Sequence, residues 1–345
     1  MILILLGDLF WLAVFTLSVY TVFRILKHSS LSDAVDSMKK KRRVRIAFYV
    51  ICIYFLIGFV DQLKIPGTGT TTEFSPIDFF FQTYIEKERT YSAPWAKRVT
   101  GISEENLHEE INLVKGLHLL GTDVNGYDVF YTIFKGAGTA LILSFGTSII
   151  AFPLGVALGI LAGFFGGWVD DLIQWLYTTV ASIPWLLFVI AFLMVFGREL
   201  YWICLAFGLT SWVGIARLVR GETLKIKQLD YILAAKATGI PVLRILYKHL
   251  LPNVTYLIII NFTLFSSNVI LAESVLTFIG IGVQPGTASW GVMLVEAQQE
   301  LTRSPAIWWI FAGGSFVGIL PLVLSLNLFG DALRDALDPR LRGQN

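Results

Sequence analysis

Apolar residues in this chain come in long, nearly uninterrupted blocks, not in the alternation of a half-buried strand. Seven blocks stand out, at 2–26, 46–63, 136–163, 172–197, 201–219, 254–281 and 306–329. Each approaches or exceeds the ~20 residues an α-helix needs to cross a bilayer. Only helices with internally satisfied backbones suit that solvent, so the expected fold is an all-α, polytopic helical membrane protein of seven spans. The polar intervals divide unequally. Residues 64–134 form one sizeable soluble segment, and 217–253 a basic loop between two spans.

Composition agrees: 55% of the 345 residues are hydrophobic and 15% charged. Charge placement then gives an orientation. The first block lacks a basic leading region and a small-residue cleavage site, so it is expected to stay as a span. Arg24, Lys27 and the run Lys39, Lys40, Lys41, Arg42 and Arg43 follow it, which predicts an outside N-terminus and a cytoplasmic C-terminus. On that topology 18 of the 27 lysines and arginines lie inside. The expected organisation is 1–63, two spans joined by a basic cytoplasmic loop; 64–134, external; 135–329, a core of five spans carrying the loop 217–253; and 330–345, a cytoplasmic tail.

The 217–253 loop is more ordered than a connector needs to be. Leu229, Ile232, Leu233 and Ala237 recur at helical spacing among Lys225, Lys227 and Lys236, which predicts an amphipathic helix over 225–238. Gly239 supplies its C-cap and Pro241 bars continuation. A second helical run, 242–250, leads to Pro252 at the edge of the next span. The small pair Ala234 and Ala235 is expected on the surface, where another protein can approach closely.

Further positions carry local predictions. Asp123 to Gly126 reads as a turn with glycine at its strained position. Ser103, Glu104 and Glu105 precede Leu107, Ile111, Val114 and Leu117, the pattern of a capped amphipathic helix. Gly146, Gly155, Gly159 and Gly163 give one span small surfaces for close helix packing, and Pro153 a kink. Pro184 breaks the next span; either proline is a hinge or a packed kink. Glu273 is an acid within a span, either a gate or a structural hydrogen-bond acceptor. Trp290 suits the external mouth or an interfacial anchor, and 331–337 reads as a solvated helix. The four histidines show no metal-ligand spacing, and His108 and His118 read as surface or helix-packing side chains. Cys52 and Cys204 lie inside spans and imply no disulfide.

The loop resembles the "EAA" loop of ABC-importer permeases: Ala234-Ala235, three residues, Gly239, then Leu251-Pro252. The glutamate of that pattern is Leu233 here. Leu120-Gly121-Thr122-Asp123, with Gly126 and Asp128, resembles the "LGTDxxGRD" signature of C-type subunits of oligopeptide and dipeptide permeases, with Tyr127 at the arginine position. Gly166 to Asp170, the Glu273 segment (similar to "AExSLSFLGLG"), the turn 284–291 and the tail 330–342 resemble the same family in the same order. Together these cover about 120–342.

The resemblance implies a permease subunit of a peptide-class ATP-driven importer in a bacterial inner membrane, with the type I importer fold plus one extra N-terminal helix. It implies partners: two ATPase subunits docked on the loop, a second, B-type permease and an external substrate-binding protein, besides membrane lipid; no nucleic acid is implied. No GxxxxGK sequence followed by Ser or Thr occurs, so ATP and magnesium are expected on the partner ATPases. This chain is expected to hold no cofactor and no metal, and to catalyse nothing itself. The competing class, an ion-gradient-driven secondary transporter, calls for inverted repeats and paired intramembrane charges.

Overall fold

The computed structural model describes residues 38, 40–66, 73–81, 88, 90–100, 114, 116, 118–284, 286–302 and 306–337. The first predicted span, most of the predicted helix after Ser103 and the tail beyond 337 lie outside them; Val114 and Gly116, at the end of that predicted helix, are described and are not helical.

The described elements run α1 (Arg42–Gln62), β1 (Ile65–Pro66), β2 (Glu73–Phe74), α2 (Pro76–Phe80), α3 (Val129–Phe165), α4 (Gly167–Ser182), α5 (Trp185–Phe196), α6 (Leu200–Ile226), α7 (Asp230–Ala237), α8 (Val242–Ile245), α9 (Leu251–Phe278), α10 (Trp290–Glu300), α11 (Trp309–Ala312) and α12 (Leu320–Leu337). The two short strands pair antiparallel, Ile65 with Phe74 and Pro66 with Glu73. π-Helical turns, Leu246–Leu250 and Gly313–Ile319, join α8 to α9 and α11 to α12 without a break.

Among the described residues, five helical runs are long and apolar enough to cross a membrane: α1, α3, α6, α8–α9 and α11–α12. The pair α4 and α5, bent by 79° at Ser182–Trp185, is apolar enough to count as a sixth if the two helices form one broken span rather than a re-entrant loop. The five correspond to the predicted spans 46–63, 136–163, 201–219, 254–281 and 306–329, and the bent pair to the block 172–197. Pro184 sits at the bend as the N-cap of α5, whereas α3 runs through Pro153 without interruption.

The chain forms two compact units, one of residues 1–142 and 270–345 and one of 143–269. In the first, α1 packs on α12, and Trp290 fills the core with Val129, Ile133, Met293 and Ile310. Two glycines admit the indole: a Cβ on Gly136 or Gly318 would come within 2.6 or 2.8 Å of it. The indole Nε1 donates to the Ile133 carbonyl at 3.0 Å. Trp290 is therefore core, 2% exposed, and not an interfacial anchor. The predicted solvated helix 331–337 is the last part of α12 and buries Ala332 and Leu333.

In the second unit the glycine spacing of α3 works as expected. Cβ atoms on Gly155, Gly159 and Gly163 would meet α6 at 2.7, 2.7 and 2.6 Å, against Ile215, Ala216 and Thr223. Side chains there would force the helices apart, so the glycines set the contact. Across the next interface Arg220 grips Asp170 with two hydrogen bonds, 2.6 and 2.7 Å, and Arg217 lies over the Tyr177 ring at 4.8 Å. The turn delivering Asp170 depends on Gly166 and Gly167, both at positive φ (67° and 52°).

Candidate functional site

The first candidate site is the loop between α6 and α9, inside the second unit. Its helix begins later than the lysine pattern predicts. Val219, Thr223 and Ile226 continue the buried stripe of α6, so α6 persists to Ile226 and a turn intervenes. α7 then starts at Asp230 with Leu229 as its N-cap. Ile232 and Ala235 are its buried residues, packed with Ile245, Leu250, Val254, Val219 and Ile226. Leu229, Leu233 and Ala237 are exposed, which corrects the predicted face. It also splits the alanine pair: Ala234 is exposed, whereas Ala235 is only 6% exposed and belongs to the core.

Gly239 ends α7 as predicted. Its φ is +72°, and the Ile240 amide reaches back to the Ala235 carbonyl at 3.1 Å, the long bond of a Schellman cap. Pro241 then caps α8, and Pro252 lies inside the continuous helical run Val242–Phe278, just after its π-turn Leu246–Leu250. Leu251 is half-buried and packs against the same core. Lys227 donates to the Gly163 carbonyl at 2.7 Å, and Lys236 covers the Phe164 ring at 4.4 Å, so the loop's lysines tie it to the end of α3. The outcome is a rigid support presenting apolar side chains outward: Leu233 (50% exposed), Val242, Leu243 (79%) and Tyr247.

The second candidate site is the segment 118–128, in the first unit. Asp123 Oδ1 accepts from the amides of Asn125 and Tyr127, each at 2.8 Å, and Gly126 N donates to the Asp123 carbonyl at 3.0 Å. Thr122 and Asp128 bridge across this turn. Gly126 has φ +78°, and a Cβ there would lie 2.0 Å from the Glu88 carbonyl oxygen. Gly121, at φ +72°, is as confined: its Cβ would be 2.4 Å from Ser92 O and 2.9 Å from the Trp309 ring. Thr122 is fully buried; its hydroxyl accepts from the Ser92 amide at 2.6 Å and donates to the Thr90 carbonyl at 2.9 Å.

Asp128 has two partners. Oδ1 accepts from the Tyr131 amide at 2.9 Å, capping α3, and Oδ2 lies 2.7 Å from His118 Nδ1. His118 Nε2 faces Glu88 Oε1 at 3.3 Å. The imidazole is thus buried between two carboxylates, not at the surface or on a helix as its sequence suggests. Burial opposes its protonation, but the hydrogen bonds to Asp128 and Glu88 and their charges outweigh it, so its pKa is raised. The pKa of Glu296 on α10 is raised as well, for a different reason. Burial, then the charge of Asp123, push its carboxyl up to about 7.

Sequence reasoning also missed an ion cluster. Lys135 Nζ lies 2.7 Å from Asp61 Oδ1 and 3.0 Å from Asp78 Oδ1, tying α3 to α1 and α2. Tyr131 donates to the same Asp78 oxygen at 2.7 Å. A signal for part of it was present: Ser75 and Asp78 form a capping box, readable from their three-residue spacing.

Glu273 is 4% exposed and is met by the hydroxyls of Ser274, Thr277 and Ser289. Oε1 accepts from Thr277 at 2.8 Å and Ser289 at 2.7 Å. Ser289 in turn accepts from the Gly291 amide and starts α10, so the carboxyl joins the end of α9 to the start of α10. Among the described residues no cluster of His, Cys, Asp or Glu is arranged to hold a metal ion.

Comparison with known proteins is consistent with these features. The dipeptide transport system permease protein DppC of Bacillus subtilis (strain 168) is 38% identical over 242 residues, 70% of this chain and 73% of the relative. The oligopeptide transport system permease protein OppC of Haemophilus influenzae is 34% identical, over 72% of this chain and 79% of that protein. The glutathione transport system permease protein GsiD of Pectobacterium atrosepticum is 34% identical, over 72% and 82%. Residues 155–343, which include the whole loop and Glu273, match the family model described as the binding-protein-dependent transport system inner membrane component. The chain belongs to that family, the multi-pass inner-membrane permease subunits of ATP-driven importers.

Proposed function

We propose that this permease forms half of a translocation pathway for peptides or similarly sized solutes, and that the loop 217–253 is where a separate ATPase drives it. One observation carries the coupling reading. Ile232, Ala235, Ile245 and Leu250 hold α7 and α8 against the second unit, while Leu233, Ala234, Val242, Leu243 and Tyr247 face outward. A rigid support with an exposed apolar face transmits a push; a floppy loop absorbs it. Leu233, where the family pattern has glutamate, makes this contact apolar. Gly239 sets the angle between α7 and α8, and Leu251 and Pro252 lead it into α9.

The remaining parts follow from that reading. The basic residues around α1 and the loop support a cytoplasmic loop and C-terminus and an external segment 118–128. There Gly121, Thr122, Asp123, Gly126 and Asp128 shape the mouth that a substrate-binding protein approaches. Two ATPase subunits hold ATP and magnesium; a B-type permease supplies the other half of the pathway; this chain contributes no catalytic group. Closure of the ATPases on ATP moves the coupling loops and switches the pathway, whose two states need only differ in affinity for solute. Glu273 acts there by fixing α10 to α9 rather than as a titrating gate. The dipeptide, oligopeptide and glutathione names of the relatives support the solute class.

The test is reconstitution of this chain with its partner permease, ATPases and binding protein in liposomes, followed by ATP-dependent uptake of labelled di- and oligopeptides. Uptake that needs ATP and the binding protein is expected. Uptake driven by an ion gradient without ATP would overturn the proposal.

A further inference from the structure

The N-terminal end of α1 carries a charged surface that the coupling reading does not use. Lys40, Lys41, Arg42, Arg43 and Arg45 are all exposed. None forms an ion pair with a carboxylate among the described residues. Three of them, Lys41, Arg42 and Arg43, line a groove of about 570 Å³ together with Leu328, Asp331 and Asp335 of α12. Asp331 and Asp335 are the acids lining it, against three cations, and Lys40 and Arg45 are exposed on the same end of α1, so positive charge is in surplus.

What lies next along the helix identifies the ligand. Arg42, Arg45, Tyr49, Ile53 and Leu56 follow one another at three- and four-residue spacing, so they share one face of α1. All are exposed: the cations come first, then an aromatic ring with a hydroxyl, then aliphatic side chains. The opposite face is the buried one, with Val44, Ala47 and Gly58. A soluble anion would be served by the cations alone. A phospholipid needs this sequence of surfaces, anionic headgroup on guanidinium and ammonium groups, then acyl chains along an apolar stripe. We propose that this end of α1, with the groove beside α12, is a binding site for an anionic phospholipid headgroup, held by Arg42, Arg43 and Arg45 with Lys40 and Lys41 around it.

The experiment is native mass spectrometry of the purified full chain in detergent. It is titrated with phosphatidylglycerol, with phosphatidylcholine of the same acyl chains, and with inorganic phosphate as competitor. Phosphatidylglycerol is expected to bind preferentially, and Arg42→Gln/Arg43→Gln/Arg45→Gln to lower its affinity by about tenfold or more, leaving phosphatidylcholine unchanged. Because that variant also removes topology-setting charge, Asp331→Asn/Asp335→Asn is a second probe. It keeps every cation and is expected to tighten phosphatidylglycerol binding several-fold. Equal affinity for the two lipids, or no effect of either variant, would overturn the proposal. Displacement of the lipid by millimolar phosphate would also overturn it, in favour of a soluble-anion site.

Discussion

Asp128 uses one carboxylate oxygen to cap α3 and the other to hold His118, 2.7 Å from its Nδ1. This pairing links the turn 121–126 to the start of α3, and it gives Asp128 a hydrogen-bonding partner that Tyr127 does not supply. His118 is raised in pKa by Asp128 and Glu88 in the folded state. Its contribution to stability is therefore full below the ordinary imidazole value, near 6.5, and is lost as pH rises through the higher folded value. Thermal unfolding of the purified chain at pH 6 and pH 8.5 should show His118→Asn destabilising more at pH 6. An equal loss at both pH values would mean that the imidazole is neutral in the fold.

Glu296 adds to the same pH trend with opposite chemistry. A carboxyl at about 7 in the fold binds a proton that the unfolded chain, near 4.5, has released. Stability therefore falls as pH rises from 4.5 to about 7, and the penalty stays in place above that. Glu296→Gln should raise the melting temperature at pH 8 and leave it nearly unchanged at pH 4.5. A rise of the same size at both would assign the effect to packing.

Two glycines at almost the same positive φ should respond differently to alanine. At Gly239 a Cβ meets nothing within 4 Å, so Gly239→Ala pays only the left-handed backbone cost, roughly 1 kcal/mol. At Gly126 the Cβ would lie 2.0 Å from a backbone oxygen, and the turn must open. Gly126→Ala should therefore lose several times as much stability in a denaturation series. Equal losses would show that the Glu88 segment moves aside freely.

Glu273 separates a structural acceptor from a gate. Glutamine keeps an oxygen to accept from Thr277 and Ser289, whereas leucine strands both hydroxyls in the core. Glu273→Leu should cost about 1–3 kcal/mol or more, and Glu273→Gln much less. Uptake by the glutamine variant should stay near the wild-type rate. Loss of uptake with unchanged stability would restore the gate.

Five of the spans, the glycine face of α3, the Pro184 bend, the Gly239 cap and the turn before α3 were legible because each rests on local chemistry: apolar block length, side-chain size, fixed φ, or a required left-handed residue. The errors were long-range. Lys225 to Thr238 reads as one helix only until Ile226 is known to complete the α6 stripe. Ala235 and Trp290 look like surface residues because nothing nearby in sequence shows that Ile245 or Gly318 will cover them. His118, Asp61 and Lys135 find their partners 10 to 74 residues away, beyond any spacing rule.

The central claim is that an apolar face on the 217–253 loop couples this chain to an ATPase. The most direct measurement is co-purification of tagged protein from native membranes, with ATPase activity read on the isolated complex, for wild type, Leu243→Asp and Ala234→Trp. Both positions are exposed, so folding should be untouched, whereas a bulky residue at buried Ala235 would confound the result. The account predicts that wild type brings down an ATPase and a second permease, that both variants lose the ATPase, and that the second permease remains bound. Full ATPase recovery and activity in both variants would contradict it.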